Sequence, residues 1–298
     1  MEKIAAVIVT FNRINELLKN INMLLKQKKN IDMIYVINNN SSDDTVVKIN
    51  ELKNDKIKLI NLNENIGGAG GFFTGLKNAY DDGYDFIVLM DDDGRPYDDN
   101  TIDVLYKYAI NHKDEKLMIN SLVFDNSILS FGLAENITTF DDAQKKSING
   151  IIENKINPFN GTLVNSKLVS EIGFPNADFF IKGDESDYTN RAKSVGAHIV
   201  TLVESLYYHP ALKKERFKRF FFSFENNFEA PWKEYYRSRN YTYMFGKKFK
   251  KFVFRRLIKN FIFHDKDYKK RANMIKYGYK DGLAKKLGKI VEPGQTKY

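Results

Sequence analysis

Three consecutive carboxylates, Asp91-Asp92-Asp93, follow the apolar run Phe86-Ile87-Val88-Leu89-Met90. Acidic groups at the end of a buried strand repel one another strongly unless a cation neutralises them. Hard oxygen ligands suit Mn2+ or Mg2+, ions that bridge to the phosphates of a nucleotide. Alternate residues of an extended chain point the same way, which lets Asp91 and Asp93 share one ion. The competing reading is a solvated Asp-Gly turn. A second cluster, Gly67-Gly68-Ala69-Gly70-Gly71, sets four glycines in five residues ahead of a helix. Backbone can approach a ligand closely there, and free N–H groups at the helix start favour phosphate. Its spacing matches neither the Rossmann nor the Walker pattern. A third, Gly183-Asp184-Glu185-Ser186-Asp187-Tyr188, opens a helical stretch containing Arg191. Its carboxylates serve either as helix-dipole partners or as a general base for a hydroxyl nucleophile. His209 ends the apolar run Tyr207-Tyr208 ahead of Pro210. It is either structural or the imidazole that completes an otherwise all-oxygen metal site.

These groups need strands and turns to place them. β-branched and apolar runs predict strands over 4–10, 33–37, 57–60 and 86–90. Ile14, Leu17, Leu18, Ile21, Leu24 and Leu25 recur at helical spacing, which predicts a helix over 14–28. A further helix runs from the glycine cluster to about residue 79. Alternating strands and helices predict an α/β fold with a mostly parallel sheet covered on both faces. Ligands of such sheets gather at the carboxyl ends of strands, and the polar clusters at 38–45, 65–71 and 91–93 all fall there. Residues 135–157 read as a polar loop excursion, and a second structured block runs from 158 to 210.

Charge divides the chain in the same place. Residues 211–298 carry 25 Lys and Arg against 8 Asp and Glu, whereas 1–210 carry 22 against 30. The expected domains are therefore 1–210, which holds the motifs, and 211–298, a basic and aromatic region expected to be helical over 216–224 and 247–263. Interleaved Phe, Tyr, Lys and Arg suit an anionic membrane surface. A nucleic-acid-binding module is less expected, since no RNA-binding signature is present. A basic scaffold that packs the catalytic domain or forms a homo-oligomer interface is the third reading. The 298 residues include no cysteine, which excludes disulfides, zinc–thiolate sites and iron–sulfur clusters. The apolar run after Lys3 is shorter than a signal peptide requires, and no stretch approaches the roughly 18 apolar residues of a membrane span. Secreted and membrane-spanning readings are accordingly not expected.

Taken in order, the motifs resemble the inverting family 2 glycosyltransferases of the GT-A fold. Val7-Ile8-Val9-Thr10-Phe11-Asn12-Arg13 looks like their opening strand and nucleotide-contacting turn, 36–45 like the uracil-binding segment, and 91–93 like the metal-binding DxD. Residues 184–187 are similar to their catalytic acidic motif, with Arg191 following. Within the family, galactofuranosyltransferases are resembled through Asn65-Ile66-Gly67-Gly68-Ala69-Gly70-Gly71-Phe72, through Phe179-Phe180-Ile181-Lys182 before the acidic motif, and through the later Tyr-His. The likeness covers about residues 4–210. Tyr235-Tyr236-Arg237-Ser238-Arg239-Asn240 matches loosely.

The resemblance implies roles. Asp91, Asp93 and His209 would hold Mn2+ or Mg2+. Thr10, Arg13, Asn65, Gly67, Gly68 and Asp92 would line the nucleotide diphosphate. Asn38 stands at the base-contacting position, where the family often has aspartate. Glu185 would be the catalytic base, with Asp184 its rival because the Asp-Glu order departs from the commoner Glu-Asp or Asp-Asp. The implied reaction moves galactofuranose from a UDP donor to a glycan or lipid-linked glycan acceptor, with Asn160-Gly161-Thr162 near the acceptor. Such an enzyme of cell-surface polysaccharide synthesis would be cytoplasmic and bound peripherally to the inner face of the plasma membrane. A rhamnosyltransferase using a dTDP donor and a nucleotidyltransferase are the enzymatic alternatives.

Overall fold

The structure, a computed structural model, describes residues 2–157, 159–211, 215–219, 222–226, 229–262 and 265–298, with side chains left aside for 215–219 and 222–226. Residue 158, where the second block was expected to begin, and residues 220, 221 and 263 of the basic aromatic runs lie outside the described residues. The chain divides into two compact units, one of residues 1–175 and 188–211 and one of 176–187 and 212–298.

In the first unit, strands β1 (Ile4–Thr10), β2 (Met33–Asn38), β3 (Ile57–Asn61) and β4 (Phe86–Asp91) lie parallel, as the sequence predicts. Their connections are α1 (Ile14–Leu25), α2 (Thr45–Glu51) and α3 (Gly67–Asp81). Beyond β4 come β5 (Arg95–Pro96), α4 (Thr101–Asn111), β6 (Leu117–Asp125), β7 (Ile128–Leu129), α5 (Phe140–Lys146), β8 (Ile151–Glu153), β9 (Thr162–Asn165) and α6 (Ser166–Ile172). Helix α7 (Asp184–Ser194) and strand β10 (His198–Tyr208) follow. The sheet order is β3-β2-β1-β4-β9-β6-β10-β5. The sheet is mixed, because β9 runs antiparallel to both β4 and β6. Its first residue, Thr162, pairs with Leu89 near the carboxyl end of β4, so the chain re-enters at that edge and must run back.

The expected loop excursion over 135–157 contains real structure. Helix α5 begins with a capping box, in which the Asp142 amide donates to Thr139 Oγ1 and the Asp142 carboxylate accepts from the Thr139 amide. Strand β8 adds to β10. Two apolar layers seal the sheet. Leu17, Ile21 and Leu24 of α1 and Ile102, Leu105 and Ala109 of α4 pack on one face. Phe72, Leu76 and Ala79 of α3, with Leu168, Val169, Tyr188 and Ala192, pack on the other. Helix α3 lies unusually close to β1: a Cβ added at Gly71 would sit 2.4 Å from Val9 Cγ1, and one at Gly75 would sit 2.2 Å from Val7 Cγ1. Gly71 therefore serves packing rather than a ligand.

The second unit is built on α8 (Pro231–Phe245), α9 (Lys250–Ile262) and α10 (Tyr268–Leu283), preceded by a hairpin of β11 (Glu215–Arg219) and β12 (Phe222–Asn226). The hairpin corrects the helix expected over 216–224: β11 and β12 pair antiparallel from Glu215 with Asn226 to Arg219 with Phe222, in a phenylalanine-rich run of high strand propensity. Tyr235, Tyr236, Met274, Val291 and Phe180 form the core of the second unit. A Cβ added at Gly278 would lie 2.2 Å from the Tyr235 carbonyl and one at Gly282 2.4 Å from the Arg239 carbonyl, so these glycines let α10 touch the α8 backbone. Among the described residues, no helix is long and apolar enough to cross a membrane.

Candidate active site

Strand β4 delivers the acidic triplet to the carboxyl edge of the sheet, with Val9 paired to Asp91. The strand ends at Asp91 and the chain turns through Asp92 and Asp93, which sends the three side chains different ways. Asp92 is buried and turns toward β1: its Oδ2 accepts from Thr10 Oγ1 at 2.9 Å and from the Phe11 amide at 3.3 Å, while Oδ1 takes Arg13 Nη1 at 3.1 Å. Burial pushes the Asp92 carboxyl above the usual range, against the pull of Arg13 and Thr10. Asp92 thus fixes the turn that carries Thr10 and Arg13, with both its oxygens engaged.

Asp91 and Asp93 instead converge with His209, and one ligand atom from each of the three lies within 4.8 Å of the others. His209 Nε2 stands 3.3 Å from Asp93 Oδ1. On Asp93, burial opposes ionisation, but the His209 hydrogen bond and charge, aided by Arg13, outweigh it and hold the carboxyl below the usual range. The imidazole is itself placed from behind. Its Nδ1 lies 2.9 Å from the Pro210 carbonyl, Ser130 Oγ donates to the His209 carbonyl, and the Phe131 ring lies 4.9 Å away. An imidazole whose second nitrogen donates to a backbone carbonyl is oriented as metal-ligating histidines are, and here its Nε2 faces the carboxylates of Asp91 and Asp93. Two carboxylates and one such imidazole fit a divalent cation of the Mn2+ or Mg2+ type. Asn20 Nδ2 donates to the Asp91 carbonyl at 3.2 Å and steadies the strand end.

The nucleotide-side residues are tied into one network. Gly67 opens α3 with φ +76°, its amide donating to Asn65 Oδ1 at 2.9 Å. A Cβ at Gly68 would meet nothing within 4 Å, so this backbone is open to a ligand. Asn39, not singled out from the sequence, clamps the loop: its Nδ2 donates to the Gly67 carbonyl and its Oδ1 accepts from the Ile66 amide, both at 2.9 Å. Its position within an asparagine run was the signal available. Asn38 is buried with both ends of its amide bonded, Nδ2 to Asn61 Oδ1 and Oδ1 to the Ser41 amide. It therefore shapes the segment 38–45 more than it faces solvent. Asp43 joins that segment to the 10–14 turn by accepting from the Ile14 amide at 3.2 Å.

The acidic motif is organised within the second unit. Phe180, Lys182 and Gly183 all have positive φ, at 63°, 66° and 96°. Side chains of α8 hold this strained run. Asn240 Nδ2 lies 3.0, 2.9 and 2.7 Å from the carbonyls of Phe179, Ile181 and Lys182. Arg239, wholly buried, donates to the carbonyls of Asp178, Phe179 and Gly288. Clustered backbone strain of this kind is stored at functional sites. Asp184 and Glu185 then begin α7. Asp184 is buried, whereas Glu185 is part-exposed, its Oε2 accepting from the Gly183 amide at 3.2 Å. Ser186 Oγ lies 2.8 Å from the Tyr241 hydroxyl. Arg191 donates to the carbonyls of Ile172 and Phe174, a structural role.

Known proteins resemble the chain in sequence and in fold. The family model for glycosyl transferase family 2 matches residues 5–167. The chain is 28% identical over 216 residues to galactofuranosyltransferase GlfT1 of Mycobacterium tuberculosis, covering 70% of each. It is 28% identical over 217 residues to the Mycolicibacterium smegmatis GlfT1, covering 70% of this chain and 71% of the relative. In fold it is similar to S. aureus TarS 1-349 in complex with UDP-GlcNAc, at TM-score 0.55 and 16% identity over 80% of this chain and 64% of that one. It is also similar to GalNAc-T7 with UDP, GalNAc and Mn2+, at TM-score 0.57 and 14% identity over 70% of this chain and 44% of that one. The chain spans less than two thirds of either solved structure.

Proposed function

The chain belongs to glycosyl transferase family 2 and has the GT-A fold, and from that premise we propose that it transfers galactofuranose from UDP-galactofuranose, with inversion, to a hydroxyl of a glycan or lipid-linked glycan. The observation that carries this reading is the convergence of Asp91, Asp93 and His209 beside the Thr10–Arg13 turn, in a chain whose curated relatives are galactofuranosyltransferases. The three residues would hold Mn2+ or Mg2+, which supplies charge neutralisation for a departing diphosphate. Arg13, 51% exposed on Asp92 and Asp93, is placed to exchange a carboxylate for a phosphate. Open backbone at Gly68 and the amides at the start of α3 suit the same diphosphate.

Glu185 is the proposed base. It takes the proton from the acceptor hydroxyl as that oxygen attacks the anomeric carbon, and the bond to the diphosphate oxygen breaks with its electron pair leaving on the nucleotide. Developing positive charge on the ring carbon is the common feature of glycosyl transfer. Asp184, buried and next to it in the sequence, is the second candidate.

The second unit offers a surface for the acceptor's membrane. Along α9, Val253 and Asn260 are buried, whereas Phe254 is 62%, Ile258 41% and Ile262 45% exposed. At roughly 100° per residue these three fall on the face opposite Val253, bordered by Lys251 and Arg255. Exposed apolar groups ringed by cations suit the interface of an anionic bilayer. On this reading the enzyme works in cell-surface polysaccharide synthesis at the inner face of the plasma membrane. Screening nucleotide sugars for hydrolysis and transfer, with and without Mn2+, tests the proposal. Turnover confined to dTDP-rhamnose would move it to the rhamnosyl alternative.

A further inference from the structure

Far from the acidic triplet, the first unit gathers a second set of metal-ligating side chains. His112 follows the end of α4, Glu115 lies in the turn into β6, and His198 is the first residue of β10. The Glu115 carboxylate sits between the two rings, with Oε1 2.8 Å from His112 Nδ1 and Oε2 2.7 Å from His198 Nδ1. One ligand atom from each residue lies within 4.8 Å of the others. Tyr108 supports both imidazoles: its hydroxyl is 3.1 Å from His198 Nε2, and its ring stacks on His112 at 4.4 Å between centroids. The turn is closed by the Glu115 amide donating to the His112 carbonyl at 2.9 Å, and Asn165 Nδ2 donates to the Glu115 carbonyl at 2.8 Å.

We propose that His112, Glu115 and His198 form a second metal site, selective for Zn2+ over Mg2+, that ties the end of α4 to the entries of β6 and β10. Two imidazoles and one carboxylate are a donor set for zinc, which takes three protein ligands with a water in the fourth position. Mg2+ demands oxygen ligands and keeps its waters. With Nδ1 on the metal, His198 Nε2–H donates to the Tyr108 hydroxyl oxygen, the outer hydrogen bond that fixes a ligating ring. The site is not an extension of the first. His198 opens β10 and His209 follows its other end, so the eleven-residue strand sets them on the order of 30 Å apart. A metal that binds the folded chain and not the unfolded one raises its melting temperature.

The test uses the full chain carrying Asp91→Asn and Asp93→Asn, which disables the other cluster. After equilibration with Zn2+ and removal of free metal, bound zinc is measured by atomic emission, and melting is followed with and without Zn2+ and with Mg2+. The expected result is about one zinc per chain, a rise of several degrees in Tm with Zn2+ alone, and at least tenfold weaker zinc binding on adding His198→Gln or Glu115→Gln. Circular dichroism of the near-isosteric Glu115→Gln protein shows whether it remains folded, and Tyr108→Phe supplies a variant that keeps all three ligands and should bind zinc more weakly. Absence of retained zinc in the Asp91→Asn, Asp93→Asn protein, or equal retention after His198→Gln and Glu115→Gln, overturns the proposal and leaves a histidine–glutamate ion-pair cluster.

Discussion

His209 Nε2 stands 3.3 Å from Asp93 Oδ1, although 116 residues separate the two along the chain. The contact exists because β4 and β10 end on the same edge of the sheet, and because Pro210 and Ser130 hold the histidine from behind. A carboxylate–imidazole pair of this geometry, with Asp91 alongside, is the feature from which the proposed chemistry follows.

Removing the pair should separate metal dependence from folding. Asp93→Asn and His209→Ala are each expected to weaken Mn2+ binding about 10–100-fold and to lower transfer at least as much. Far-ultraviolet circular dichroism should stay unchanged. Titration of Mn2+ by water-proton relaxation checks the expectation, and wild-type affinity in both variants would remove these residues from the site.

Glu185→Gln should keep donor binding while slowing transfer by about 10²–10⁴-fold, the usual worth of a positioned base. Asp184→Asn should slow it less if Glu185 carries the proton. Single-turnover transfer beside donor titration by calorimetry distinguishes the two, and near-normal turnover in Glu185→Gln would refute the assignment.

Asn240→Ala takes the Asn240 donor from the carbonyls of Ile181 and Lys182 in a strained run, while Phe179 keeps Arg239. A loss of about 2–4 kcal/mol is expected, since buried polar groups stripped of partners are costly. Urea unfolding measures it. A change under half a kilocalorie would mean that the positive-φ run at 180–183 holds itself.

Acid should loosen the second unit through Glu229. Burial works against its charge, but Arg237 at 2.6 Å and Lys182 at 3.0 Å outweigh burial and hold its carboxyl below the usual glutamate range. A carboxyl depressed in the folded state stabilises fully above its unfolded pKa and loses that contribution as pH falls through the folded one. Between roughly pH 5 and pH 3 the wild-type Tm should therefore drop more steeply than that of Glu229→Gln. Parallel slopes would contradict this.

Phe254→Ser with Ile258→Ser should release the chain from anionic liposomes without changing its fold. Sedimentation with anionic and with neutral vesicles, beside an RNA-binding control, reads the effect. Binding that depends on RNA, or that ignores the substitutions, would point away from a membrane face on α9.

Much of the first unit was legible because its parallel strands are apolar runs ended by polar clusters. Alternate spacing put Asp91 and Asp93 forward as a pair, and their ligand atoms do lie within 4.8 Å of each other, although β4 ends at Asp91 and a turn rather than extended chain carries the other two. Short or polar elements were harder to read. Helix α5 is announced mainly by the spacing of Thr139 and Asp142, and β9 is only four residues long. The 216–224 run carries neither a clean helical nor a clean strand period, so only the strand propensity of its phenylalanines pointed to the hairpin. The Arg239–Asn240 clamp was opaque for a different reason: its partners are backbone carbonyls about 60 residues away, which no side-chain pattern records. Within the glycine cluster, Gly71 is small to admit Val9, whereas Gly68 leaves open space, a division the sequence alone does not mark.

Donor turnover reaches the central claim most directly. Purified chain incubated with UDP-galactofuranose and Mn2+ should release UDP, faster with a glycan acceptor, and should stop when the metal is chelated. Equal release under chelation, or no release from UDP-galactofuranose while another nucleotide sugar is consumed, would contradict the account.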